Sequence, residues 1–161
     1  NVPVHKGDVF FIDAGTLHAI GKGILIAEIQ QNSNTTYRIY DYGRVGADGK
    51  PRQLHVEKAV EVTELCPPKY DTKPEGKPEN IEGGEKTLLR SCEYFNVNKI
   101  KVSGEVTISA TDKSFNSILV LDGKGEINGQ EANKGDSFFI PASFGEYKIS
   151  GELEIIVTDI I

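Results

Sequence analysis

Methionine and tryptophan are absent from this 161-residue chain, and histidine and cysteine are scarce, at three and two residues. The missing methionine includes an initiator. The chain begins NVPVHKGD and is already in a Gly-Asp turn before its first apolar run. It therefore reads as starting inside a domain, and the expectation is a C-terminal piece of something longer. Cys66 and Cys92 flank a polar stretch and have no CxxC spacing, which excludes a dense disulfide framework and points to a reduced, cytoplasmic compartment. No apolar run approaches the roughly 20 residues needed to span a membrane, and no secretory signal is visible. Positive charge is in deficit, 18 Lys and Arg against 24 Asp and Glu for a net −6, which argues against a nucleic-acid surface. A small-molecule partner is what these exclusions leave.

What is present is an ordinary globular composition, 38% hydrophobic with 17 Gly and 7 Pro, enough for one domain or two small ones with a real core. Val9 to Ile12, Ile24 to Gln30 and Thr35 to Asp41 are rich in β-branched and aromatic residues and are broken by Gly15, Gly21, Gly23 and Asn32-Ser33-Asn34. They predict antiparallel strands. Leu54 to Leu65 spaces Leu54, Val56, Ala59, Val60 and Val62 as one helical stripe, the single helix expected. From Pro67 to Glu85 four prolines and three glycines interrupt a polar run, which predicts a linker or surface crossing. Beyond it, Tyr94 to Val102, Glu105 to Ser109, Ser117 to Leu121, Gly125 to Ile127, Ser137 to Ile140 and Leu153 to Asp159 have the close spacing of a sandwich or barrel. The expected division is 1–66, a crossing over 67–92, and 93–161.

One internal repeat stands out. KGDVFFIDAGTLHAIGKG, Lys6 to Gly23, matches KGDSFFIPASFGEYKISG, Lys134 to Gly151, at eight of eighteen positions. Both place Lys-Gly-Asp before a short apolar run, with glycine suited to a tight turn and aspartate able to bond its own backbone there. The copies differ where chemistry would sit, since His18 in the first faces Glu146 in the second. No histidine follows His55, so the second copy has no imidazole for a metal.

Gly7, Asp13, Gly15 and His18 resemble the second motif of the cupin family, G-x5-P-x-G-x2-H, with Asp13 replacing proline. The second copy keeps Pro141 and loses the glycine and the histidine. The run GTLHAIGKGILIAEIQQNSNTTYRIYDYGR, Gly15 to Arg44, and HVEKAVEV after it resemble the type I mannose-6-phosphate isomerases. That resemblance implies an all-β chain of two cupin-type jelly-roll units, the first incomplete at its N-terminus, with a short helix between them and a degenerate second unit. It also implies zinc, with His18 as one ligand and the others upstream of Asn1.

Interconverting an aldose and a ketose requires a base near carbon, a proton path between two oxygens, and positive charge for a developing oxyanion. His18 would hold a Lewis acid that meets the last need. Glu28 lies in an apolar run, where a carboxylate is costly unless it faces a polar cavity; there it would serve as base. Arg38 lies ten residues further on and stays charged at any working pH. Spacing alone fits a cross-strand ion pair between Glu28 and Arg38 equally well, whereas the resemblance implies that both line an active site, Arg38 in the catalytic role. Lys22, Arg44, Lys50 and Arg52 could attract a sugar phosphate, and His5 and His55 have no ligand spacing. The competing reading is a non-catalytic sugar-binding or regulatory cupin. An incomplete first unit would also expose a strand edge and invite self-association.

Overall fold

Apolar and polar residues alternate through the second half of the chain, and there the computed structural model builds seven antiparallel strands. They are β1 (Glu79–Ile81), β2 (Gly84–Ser91), β3 (Phe95–Ala110), β4 (Asn116–Ile127), β5 (Gln130–Asn133), β6 (Ser137–Ile140) and β7 (Gly145–Ile160). Their order is β1-β2-β3-β7-β4-β5, with β6 on β4. The structure describes residues 1–160. One unit comprises Asn1–Phe10 with Thr72–Ile161, and the other Phe11–Asp71.

The long strand β7 organises the first unit. It pairs with β3 from Phe95↔Ile160 to Ala110↔Gly145, and with β4 from Ser117↔Thr158 to Ile127↔Ile149. Three glycines meet where these strands cross, in the register pairs Gly104↔Gly151 and Gly125↔Gly151. A Cβ on Gly151 would lie 2.7 Å from the Gly125 Cα, and one on Gly125 would lie 2.0 Å from the Ser150 carbonyl oxygen. Only residues without side chains permit that approach. The inward faces bury Ile100, Val106, Ile118, Ile149, Leu153 and Ile155 in one core with Tyr147. Each such aliphatic side chain contributes about 1.5–3 kcal/mol by leaving water.

The two Lys-Gly-Asp turns have the same internal geometry. Gly7 and Gly135 have φ of +96° and +93°. In the first, His5 N–H donates to Asp8 Oδ2 at 2.8 Å and Asp8 N–H donates to the His5 carbonyl at 3.1 Å. In the second, Asn133 N–H donates to Asp136 Oδ2 at 2.8 Å and Asp136 N–H to the Asn133 carbonyl at 3.0 Å. Past the turn the copies diverge. Ser137–Ile140 pairs with β4, whereas Val9 to Ile12 is not a strand.

The expected strands Ile24 to Gln30 and Thr35 to Asp41 are likewise absent. Among the described residues the unit Phe11–Asp71 holds one helix, α1 (Val56–Val62), and an isolated bridge, Val45↔Pro51. A strand needs a neighbour to take its N–H and C=O groups. None is available here, and Leu25 is 92% exposed. The described residues therefore contain one sheet where two cupin-type units were expected. The helix is shorter than its stripe predicts, and of its seven residues only Ala59 is buried.

The crossing expected over 67–92 differs too, because β1 and β2 occupy most of its second half. Glycine makes the turn between them, with Gly83 at φ +77°, and Thr87, Leu89 and Arg90 of β2 are buried. Residues 94–102 and 105–109, expected as separate strands, form the continuous β3, since Gly104 at φ +118° keeps its place opposite Gly151.

Candidate functional site

Arg38 is the most firmly held of the candidate residues in the unit Phe11–Asp71. Its backbone N–H donates to His55 Nδ1 at 3.3 Å, and its carbonyl accepts from His55 N–H at 2.7 Å. Its Nη1 donates to the Gln53 carbonyl at 3.3 Å, and its Nε lies 3.6 Å from Asp41 Oδ1. A guanidinium carries five N–H donors, so these contacts fix the plane of the group and leave donors on its far side free.

Asp41 gathers the positive charge. Arg52 grips it through both oxygens, Nε donating to Oδ2 at 2.6 Å and Nη2 to Oδ1. Arg44 Nε stands 3.9 Å from Oδ1 and its guanidinium lies 5.5 Å from the Tyr42 ring centroid. Asp41 is 8% exposed. The Arg52 hydrogen bond, with the charges of Arg52, Arg38 and Arg44, holds its carboxyl below the ordinary range. Three guanidinium groups around one carboxylate leave the cluster net positive.

His18 is exposed, and its Nδ1 lies 2.8 Å from the Thr16 carbonyl. A carbonyl only accepts, so Nδ1 carries the proton and the Nε2 lone pair is free, the tautomer that a metal ligand needs. Glu28 is exposed and lies outside any strand. Among the described residues no hydrogen bond or ion pair joins His18, Glu28 and Arg38 to one another. Nor does any group of three or more His, Cys, Asp or Glu side chains gather to hold a metal. His18 suits a zinc ion as a single ligand, and these residues do not make up a full ligand set. Sequence reasoning missed Asp41 and Gln53 and gave His55 no role. The signal available was Arg-x-x-Asp in YRIYD, whose i, i+3 spacing brings Arg38 to Asp41.

The antiparallel sheet in which β7 joins β3 to β4 over one apolar core is consistent with a cupin fold. Residues 84–160 match the sequence profile described as the mannose-6-phosphate isomerase cupin domain. Over 161 residues, 98% of its length, the chain is 44% identical to the mannose-6-phosphate isomerase ManA of Bacillus subtilis, covering 50% of that protein. It is 38% identical over 168 residues to the mannose-6-phosphate isomerase of Streptococcus mutans, again 98% of this chain and 50% of that one. The crystal structure of the B. subtilis mannose 6-phosphate isomerase superposes with a TM-score of 0.68 at 34% identity, over 80% of this chain and 41% of that one. The chain thus spans about half the length of the curated relatives it matches. The likeness first seen in residues 15–44 holds along nearly the whole sequence. Among the described residues no helix is long and apolar enough to cross a membrane.

Proposed function

We propose that this sequence forms half of a zinc-dependent mannose-6-phosphate isomerase that interconverts mannose 6-phosphate and fructose 6-phosphate through a cis-enediol. The observation that carries the reading is likeness along almost the full chain to proteins of that name. In the aldose-to-ketose direction a base takes the proton from C2, a cis-enediol forms, and a proton is returned to C1 while the O2 hydroxyl proton passes to O1. Glu28 is the base in this reading. Arg38, its plane set by Gln53 and Asp41, presents its free N–H groups to the oxygen on which charge develops, and such preorganised donors act most strongly on charge that appears in the transition state. Zinc, when bound, supplies a Lewis acid for the sugar oxygens, with His18 contributing Nε2 and the other ligands coming from sequence beyond the half matched here. Arg44, 3.9 Å from Asp41 and 62% exposed in its side chain, is the more available to attract the phosphate, whereas Arg52 is committed to Asp41 through both oxygens.

The test is conversion of mannose 6-phosphate in D2O by the complete enzyme. Deuterium at C1 of the fructose 6-phosphate is expected. Absence of turnover would sink the isomerase reading, and deuterium at C1 would exclude a direct hydride shift from C2, which cannot take up solvent deuterium.

A further inference from the structure

A cavity of about 260 Å³ opens inside the β-unit, lined by residues of β2, β3, β4 and β7. Its apolar wall is Ile100, Ile108 and Val157. Asn98 shares the inward face of β3 with Ile100 and Val102, is 9% exposed, and makes no side-chain hydrogen bond. The Asn98 amide is not among the sealed, partnerless polar atoms of the described residues, so its donors and acceptor open into the cavity and are available to a ligand there.

Two further acceptors face the same space. Asn116 donates through Nδ2 to the Ser109 carbonyl at 3.1 Å and to the Tyr147 hydroxyl at 2.8 Å. Because the carbonyl can only accept, the amide orientation is fixed and Oδ1 is the atom left open. Asp159 accepts from Asn96 Nδ2 through Oδ1 at 2.8 Å and keeps Oδ2 free. Pockets for drug-sized ligands run to roughly 300–1,000 Å³, so this volume suits something smaller, of monosaccharide size. One group that both donates and accepts, two that only accept, and an apolar wall match vicinal hydroxyls on a carbon frame. Lys86 and Asp159, one charge of each sign, both line the cavity, which suits a neutral ligand.

We propose that the cavity bounded by Asn98, Asn116 and Asp159 is a second ligand site, which takes a small neutral polyol. It lies wholly within the β-unit and does not depend on the isomerase reading.

The experiment is an NMR titration of the ¹⁵N-labelled 161-residue chain with D-mannose, and separately with inorganic phosphate and L-alanine. The expected result is saturable shifts of the Asn98 and Asn116 side-chain amides with mannose in the millimolar range, the affinity of a small polar ligand. Asn98→Leu should weaken binding at least about tenfold, roughly 1.4 kcal/mol. Asp159→Asn, which keeps an oxygen for Asn96, should weaken it as well and decides the matter if Asn98→Leu does not fold. No saturable shift with mannose, saturable shifts with phosphate or alanine alone, or unchanged affinity in the folded variants would overturn the proposal.

Discussion

Arg52 holds Asp41 through both carboxylate oxygens, while Arg38 and Arg44 approach the same Oδ1 at 3.6 and 3.9 Å. The Asp41 carboxyl is thereby depressed below its ordinary value. A depressed carboxyl adds stability that is complete above the unfolded-state value, about 3.9 for aspartate, and is lost as pH falls through the folded value. The region around Tyr40 and Tyr42 should therefore loosen below about pH 4, and Asp41→Asn should remove most of that acid dependence. Near-ultraviolet circular dichroism of both proteins across an acid titration checks it, and parallel curves would refute it.

The glycine crossing predicts a contrast between two substitutions of the same kind. Gly125→Ala would put a Cβ 2.0 Å from the Ser150 carbonyl oxygen, whereas Gly129→Ala, at φ +76°, meets open space. The second should cost about 1 kcal/mol of backbone strain. The first must move a strand and should cost several times more or prevent folding. Urea denaturation of the two variants gives the comparison.

Core truncation should follow burial. Ile149 has 0% exposure, so Ile149→Ala is expected to cost about 2–5 kcal/mol. Leu25→Ala, at a side chain 92% exposed, should change stability by less than about 0.5 kcal/mol. Thermal melts of the 161-residue chain separate these outcomes.

All six strands expected in the second half coincide with four observed ones, β3, β4, β6 and β7, because alternation there is backed by pairing within the chain. β2 was hidden by its charges. Glu85, Lys86 and Arg90 break up the apolar signal of Thr87 to Leu89 in a segment that follows four prolines. The opposite error befell Ile24 to Gln30, whose composition is that of a strand but which finds no partner here. Composition reports what a segment can become, and pairing decides it. At the candidate site, a resemblance singled out Arg38, but the contacts that hold it were not legible. Gln53 and His55 lie 15 and 17 residues away, separations that no periodicity links.

Zinc should bind this chain weakly when it is alone. A catalytic zinc site uses three protein ligands and an open position, and no such group forms among the described residues. Dialysis against buffered zinc, followed by metal analysis, should leave well below one equivalent. Stoichiometric zinc would mean that the ligand set is complete within these residues or that a second copy supplies it.

The most direct test pairs turnover with metal content in the complete enzyme carrying Arg38→Ala. In the proposed reading Arg38 acts on charge that develops during reaction, and His18 is a ligand to zinc. Arg38→Ala should thus keep its metal and lose kcat by about a hundredfold or more. His18→Ala should lose the metal itself. An Arg38→Ala enzyme with unchanged kcat and full metal content would contradict the account.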